Sequence, residues 1–168
     1  MSNLTLEEMS TTYYDVLKEI GNIGAGNATT ALASLLGSKV DMMVPKVMML
    51  EFKDVGAILG GEEQEMVAAY LGVEGDITGS ILFLTQKESA MMVAKKLLGD
   101  FCSDELGEME RSAVKEVSNI ITGSYLNALA TLTGLTIYPS VPDLAIDMAG
   151  AILSVPAIQF GIMGDKIL

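Results

Sequence analysis

Apolar residues recur at helical spacing in two long stretches, Val16, Ile20, Ile23 continuing to Ala31, Leu32, Leu35, and Val114, Val117, Ile121 continuing to Ala128, Leu129, Leu132. Each stretch ends at a glycine, Gly37 or Gly134, and then runs through a short extended segment into a proline, Pro45 or Pro142. Glycine closes helices because it takes the left-handed conformation without a Cβ penalty, so the spacing predicts two long amphipathic helices. Between them, Met66 to Leu71 and Asp76 to Thr85 predict two strands of a hairpin turned around Gly72 to Gly75. Lys87 to Leu98 predicts a helix stopped by Gly99. Residues 143–158 predict a further helix reaching about Pro156, where the missing N–H and the ring clash should end it.

The two long stretches are copies of one another. Displacing the chain by 97 residues lays Asp15 to Pro45 over Ser112 to Pro142 without a gap, and 12 of the 31 positions are identical. Lys18/Lys115, Glu19/Glu116, Asn22/Asn119 and Gly26/Gly123 are among them. One domain, residues 1–168, is therefore expected, made of two repeats at about 10–99 and 107–168. The counterpart of Gly72 would be residue 169, and Lys166-Ile167-Leu168 has the character of mid-strand, so the second repeat is expected to be truncated at its C-terminal end. Residues 143–158 have no close counterpart in the first repeat.

Composition narrows the chemistry. Half of the 168 residues are apolar and 19% are charged, ordinary values for a globular chain. Twelve methionines against 5% aromatics point to a core filled by flexible side chains, and the pairs Met42-Met43, Met48-Met49 and Met91-Met92 are assigned to it. A net charge of -12 argues against a groove that follows a phosphate backbone, so nucleic acid is not an expected partner. No apolar run approaches the roughly 20 residues that cross a bilayer. With Glu7 and Glu8 the N-terminus lacks the pattern of a secretory signal, so no membrane insertion and a cytoplasmic location are expected.

There is no histidine, which removes Ser-His-Asp and Cys-His catalysis and the usual zinc sites together. The lone Cys102 is read as a partly buried thiol. The acidic stretches Glu62 to Glu65 and Asp104 to Glu110 are read as a solvated loop and a helix start.

What remains is a carboxylate and an amide three residues apart in each copy, Glu19 with Asn22 and Glu116 with Asn119. Residues three apart share a helix face, so each pair projects together. A single Glu-x2-Asn on a helix is ordinarily only a solvated face. Here asparagine, a poor helix former, recurs in register with its glutamate and proline in both copies. Gly21, Gly24 and Gly26 also crowd Asn22, each costing about 1 kcal/mol against alanine within a helix. A phosphate loop does not explain them, since no Gly-Lys-Ser/Thr follows and the segment is helical in pattern. Close packing against the other copy, or a flat face admitting a partner, does.

Asp15-x3-Glu19-x2-Asn22-x22-Pro45 and Ser112-x3-Glu116-x2-Asn119-x22-Pro142 resemble the signature of the CheC, CheX and FliY phosphatase family. The string Leu17 to Ala28 and the run Pro142-x-Leu144-x-Ile146-Asp147-Met148 resemble the CheC branch. The resemblance implies an α/β (α+β) fold, pseudo-two-fold and duplicated, with an antiparallel β-sheet and two long motif-bearing helices on one face. It implies a protein phosphatase that hydrolyses the aspartyl phosphate of a phosphorylated CheY-class response regulator. Glu19 and Glu116 would pair with a lysine of the regulator, while Asn22 and Asn119 would position the attacking water; Asp15, Pro45, Ser112 and Pro142 complete the motif. The chain would need no cofactor or metal of its own, the Mg²⁺ being supplied by the regulator.

The resemblance also implies binding of the receptor deamidase CheD, through a helix containing Asp147. Two other readings stay open: a non-catalytic module that binds phosphorylated CheY or CheD, and the middle domain of a FliY-type flagellar switch phosphatase. A CheX-type assignment is disfavoured, because that branch keeps one motif per chain. Gly24-Ala25-Gly26 against Ile121-Thr122-Gly123 makes the first helix the looser near its asparagine, so the second motif is expected to be the more active.

Overall fold

A computed structural model of the chain describes residues 11–41, 46, 48, 50–160 and 166–167. The elements run α1 (Thr11–Leu36), β1 (Leu50–Glu51), α2 (Phe52–Ile58), β2 (Glu65–Gly75), β3 (Gly79–Gln86), α3 (Lys87–Leu98), a 3-10 turn (Gly99–Phe101), α4 (Glu108–Thr133), β4 (Ile137–Pro139), β5 (Asp143–Met148), α5 (Ala149–Phe160) and β6 (Lys166–Ile167). Both predicted long helices are present at 26 residues each, and the displacement of 97 carries α1 onto α4 end to end, 11 to 108 and 36 to 133. Gly37 and Gly134 close them with φ of +57° and +71°, in the left-handed region that favours glycine.

β2 is the centre of the sheet. It pairs antiparallel with β3 from Met66↔Gln86 to Val73↔Gly79. Along its other edge it pairs with β5, Glu65↔Met148 to Tyr70↔Asp143, and then with β4, Val73↔Pro139 to Gly75↔Ile137. The break between β4 and β5 is tied to β2: the Ser140 N–H donates to the Gly72 carbonyl at 2.9 Å, and the Gly72 N–H donates to Ser140 Oγ at 2.9 Å. Buried Pro142, which has no N–H to give a ladder, lies in that break. β1 and β6 form a separate antiparallel pair, Leu50↔Ile167 and Glu51↔Lys166.

The continuous apolar run Met66–Ala69 is buried on both faces of the sheet, as a central strand covered by helices requires. On one face Met66, Ala68, Leu82 and Leu84 pack against Ala149 and Ile152 of α5. On the other, Val67, Leu144 and Ile146 meet Ala90 of α3, Val114 of α4 and Leu106. Burying a side chain such as Leu71 contributes roughly 1.5–3 kcal/mol. α1 lies on the α4 side, packed along α4 and touching α3. A Cβ at Gly24 would stand 2.9 Å from the Tyr125 Cα, so that glycine lets the two backbones approach. Gly26 has nothing within 4 Å of its Cβ position and is not part of the packing.

The fold is therefore α/β (α+β), an antiparallel sheet with the long helices on one side. Several expectations change. The hairpin turn is not Gly72 to Gly75: β2 continues through Gly72 to Gly75, and the chain reverses over 76–78. Gly72 is a strand residue, and Gly75, φ +120°, is the last one of β2, next to Asp76, whose N–H donates to the Thr136 carbonyl at 2.9 Å.

Residues 143–158 are not one helix. Leu144 and Ile146 are half-buried between exposed Asp143, Ala145 and Asp147, a period of two that makes β5, and α5 then carries Pro156 inside it. Asp147 accordingly stands on a strand. The segment also has a structural counterpart, since β1 followed by α2 mirrors β5 followed by α5, and α5 begins 97 residues after α2. The acidic stretch Asp104 to Glu110 is not wholly solvated, because Glu110 is 3% exposed. Of the methionine pairs, Met92 and Met48 are exposed and Met91 packs against the core, while Met42, Met43 and Met49 lie outside the described residues.

Candidate functional site

On α1, Asp15 and Glu19 are exposed and Asn22 is half-buried; on α4, Ser112, Glu116 and Asn119 are all exposed. Spacing of three on a helix puts the Cβ atoms of each Glu-Asn pair about 5–6 Å apart, so each pair presents its two functional groups side by side. Among the described residues no lysine or arginine forms an ion pair with Glu19 or Glu116, and neither asparagine amide makes a side-chain hydrogen bond. Both pairs are thus uncommitted among the described residues. Pro142 is buried at the β4–β5 break, while Pro45, its equivalent, lies outside the described residues.

The surroundings of the two asparagines differ. Ser118 and Thr122, which flank Asn119, are buried, and their hydroxyls donate to the carbonyls of Val114 at 2.8 Å and Ser118 at 2.7 Å. The matching positions on α1 are Gly21 and Ala25, which have no hydroxyl to give. Both hydroxyls are thus satisfied within α4, by the carbonyl four residues earlier, and α1 has no such side chain at these two positions. Thr122 enters the sequence comparison only as the counterpart of Ala25, and Ser118 does not enter it, although the substitution Gly21/Ser118 between the copies carries the same signal.

Titratable groups outside the motif are bound into the fold. The Ser103 N–H donates to Glu110 Oε1 at 2.6 Å, and this backbone contact holds the Glu110 carboxyl below its ordinary value. Burial pushes the Cys102 thiol up, and the neighbouring Glu110 charge adds to it, which keeps the sulfur protonated rather than nucleophilic. Burial likewise raises the Tyr125 phenol. Among the described residues no three His, Cys, Asp or Glu side chains are grouped to hold a metal ion.

Asp147 is not brought to the motif. It pairs with Met66 on the face of the sheet that α5 covers, opposite α4, and its Oδ1 accepts the Met148 N–H at 2.8 Å. The arrangement on α1 and α4 is an open surface rather than a cavity. It can bind a cation, orient water and donate an amide hydrogen bond to a group brought in by another molecule.

The CheC-like family model matches residues 14–49 and 109–146, which contain both motifs. The chain is 42% identical over 158 residues to the CheY-P phosphatase CheC of Bacillus subtilis, spanning 92% of this chain and 76% of that protein. This chain belongs to the CheC-like family. Among solved structures it is similar to FliY of Thermotoga maritima, with a TM-score of 0.70 and 29% identity over 82% of this chain and 70% of that one. It is also similar to a CheX from Desulfovibrio desulfuricans, with a TM-score of 0.52 and 26% identity over 77% and 79% of the two chains. The matched segments cover most of α1 and α4, the elements that bear the two Glu-Asn pairs, and run on beyond each helix. Among the described residues no helix is long and apolar enough to cross a membrane.

Proposed function

We propose that this chain is a phosphatase that hydrolyses the aspartyl phosphate of a CheY-class response regulator in chemotaxis, working in the cytoplasm. The observation that carries the reading is the pair of Glu-Asn motifs, without ion-pair or side-chain hydrogen-bond partners among the described residues, on equivalent helices of a chain 42% identical to a CheY-P phosphatase CheC. Phosphoryl transfer asks for positioning and charge compensation more than for covalent help, which suits a chain without histidine. Glu19 or Glu116 anchors a lysine on the regulator. Asn22 or Asn119 then enters the regulator's site and orients a water in line with the phosphorus. Attack forms the new P–O bond as the bond to the aspartate breaks, releasing phosphate and the regulator's carboxylate. The Mg²⁺ comes with the regulator.

The test is turnover. Wild-type chain at substoichiometric concentration should release phosphate from several equivalents of phosphorylated regulator. Release that stops at one equivalent, or binding that leaves the spontaneous rate unchanged, would mark a non-catalytic binding module instead.

CheD binding belongs to the same reading. Exposed Asp147 leads directly into α5, whose Val155 and Ile158 are also exposed, and together they would form that surface. A FliY-type context, favoured by the overlap with Thermotoga maritima FliY, leaves the proposed chemistry unchanged.

A further inference from the structure

The second motif opens onto a feature that its sequence does not announce. Where the C-terminal ends of α1 and α3 meet the first turns of α4, Leu35, Leu97, Leu98 and Met109 line a shallow open cleft of about 440 Å³. Leu35 and Met109 are 41% and 53% exposed, so the cleft floor offers apolar area to solvent. Its polar border is acidic: Glu108 and Glu116 stand on the rim, no lysine or arginine lines it, and among the described residues neither carboxylate has an ion-pair partner. Glu116 is at once a rim residue and a member of the motif.

The groove on the outer face of α3 is different, because its cations are already used. There Lys87 pairs with Glu65 at 2.9 Å and Lys95 with Asp104 at 3.4 Å.

We propose that this cleft is the specificity pocket of the second motif, taking an aliphatic or aromatic side chain that the regulator presents beside a lysine or arginine near its phosphorylated aspartate. The inference rests on the phosphatase reading and deepens it by naming what the regulator's surface must carry. An apolar floor rewards the buried side chain, and the two uncompensated carboxylates select a basic neighbour and reject an acidic one. Continuity is the geometric argument. Glu116 lines the same cleft as Met109 and Glu108, so a regulator whose lysine reaches Glu116 stands at the cleft. The cleft contributes to binding and selection, whereas the amide of Asn119 contributes to the chemical step, so the two separate kinetically.

The experiment measures KM and kcat for a phosphorylated CheY-class regulator in an Asn22→Ala background, where the second motif alone is read. Met109→Lys and Glu108→Lys, both at exposed positions, should each raise KM roughly tenfold while kcat stays within about twofold. Met92→Lys, on α3 outside the cleft, should change neither constant. Adding Asn119→Ala should lower kcat with KM retained. Folded Met109→Lys and Glu108→Lys variants with unchanged KM overturn the proposal, and so does an Asn22→Ala chain without activity, which would put the work at the first motif.

Should the chain bind the regulator without hydrolysing it, equilibrium binding replaces KM. Roughly tenfold weaker binding by Met109→Lys then upholds the cleft while the phosphatase reading falls, and unchanged binding overturns the cleft too. Absence of any binding by the wild type rejects both.

Discussion

Asn119 stands on a helix with a single glycine, Gly123, in the matching stretch, whereas Asn22 stands in a run with Gly21, Gly24 and Gly26, which leave the backbone more conformational freedom. A positioned amide works best on a fixed element. Asn119→Ala should therefore lower kcat more than Asn22→Ala, by at least about tenfold, or about 1.4 kcal/mol of transition-state stabilisation. A larger loss from Asn22→Ala in the same phosphate-release assay would contradict the ordering. Glu110 gives a second prediction. Its carboxyl is held below the ordinary glutamate value of 4.5, first by the Ser103 N–H. A depressed folded value means the stabilisation is fully present above the unfolded value and is lost as pH falls through the folded one. Urea midpoints should thus fall with pH below 4.5, and Glu110→Gln should flatten that limb; equal slopes for the two proteins would remove Glu110 from the acid response. The repeat is what singles out the six motif residues of α1 and α4 in the sequence, because it marks positions that survive divergence around them. Glu110 was not, because its burial depends on how the segment from Cys102 to Gly107 folds back over it, which no periodicity records.

At the scale of elements, α1 against α4 is the contact that sets where the two motifs stand. Gly24→Ala places a methyl 2.9 Å from the Tyr125 Cα, a backbone atom that cannot turn aside. Overpacking of this kind costs about 1–3 kcal/mol and outweighs the propensity gain of about 1 kcal/mol. Gly26→Ala meets open space and should instead stabilise by up to about 1 kcal/mol. Chemical denaturation of the two variants checks the pair, and equal changes would show that Gly24 is not the approach point. If Gly26 keeps the face flat for a partner, Gly26→Ala will lose activity while gaining stability. Helices with a clear 3.6 period and a terminal glycine were readable to the residue, as α3 and the ends of α1 and α4 illustrate. The stretch after Pro142 was not. Its strand is only six residues long and runs straight into a helix, and taken together its apolar positions imitate a single helical period. Pro156 misled in the same way, since it interrupts one turn of α5 without ending it.

Across the whole molecule, the sheet separates two surfaces. α1 and α4 carry the Glu-Asn pairs on one side, and α5 with neighbouring Asp147 faces the other. A regulator on the first surface and a second partner on the other would not compete for the same residues. Pseudo-symmetry was visible in sequence as a displacement of 97. The pairing of β2 with β5 and β4 was not, because strand neighbours far apart in sequence are chosen by burial of both faces of β2 and not by any local signal.

The central claim is that the asparagine amides of these two helices order the water that attacks the phosphorylated regulator. Its most direct test is phosphate release from a phosphorylated CheY-class regulator with Mg²⁺, comparing the wild-type chain with the Asn22→Ala/Asn119→Ala double variant. The account predicts that the wild type accelerates release and that the folded double variant, still binding the regulator, returns it to the spontaneous rate. Full acceleration by the double variant would contradict it.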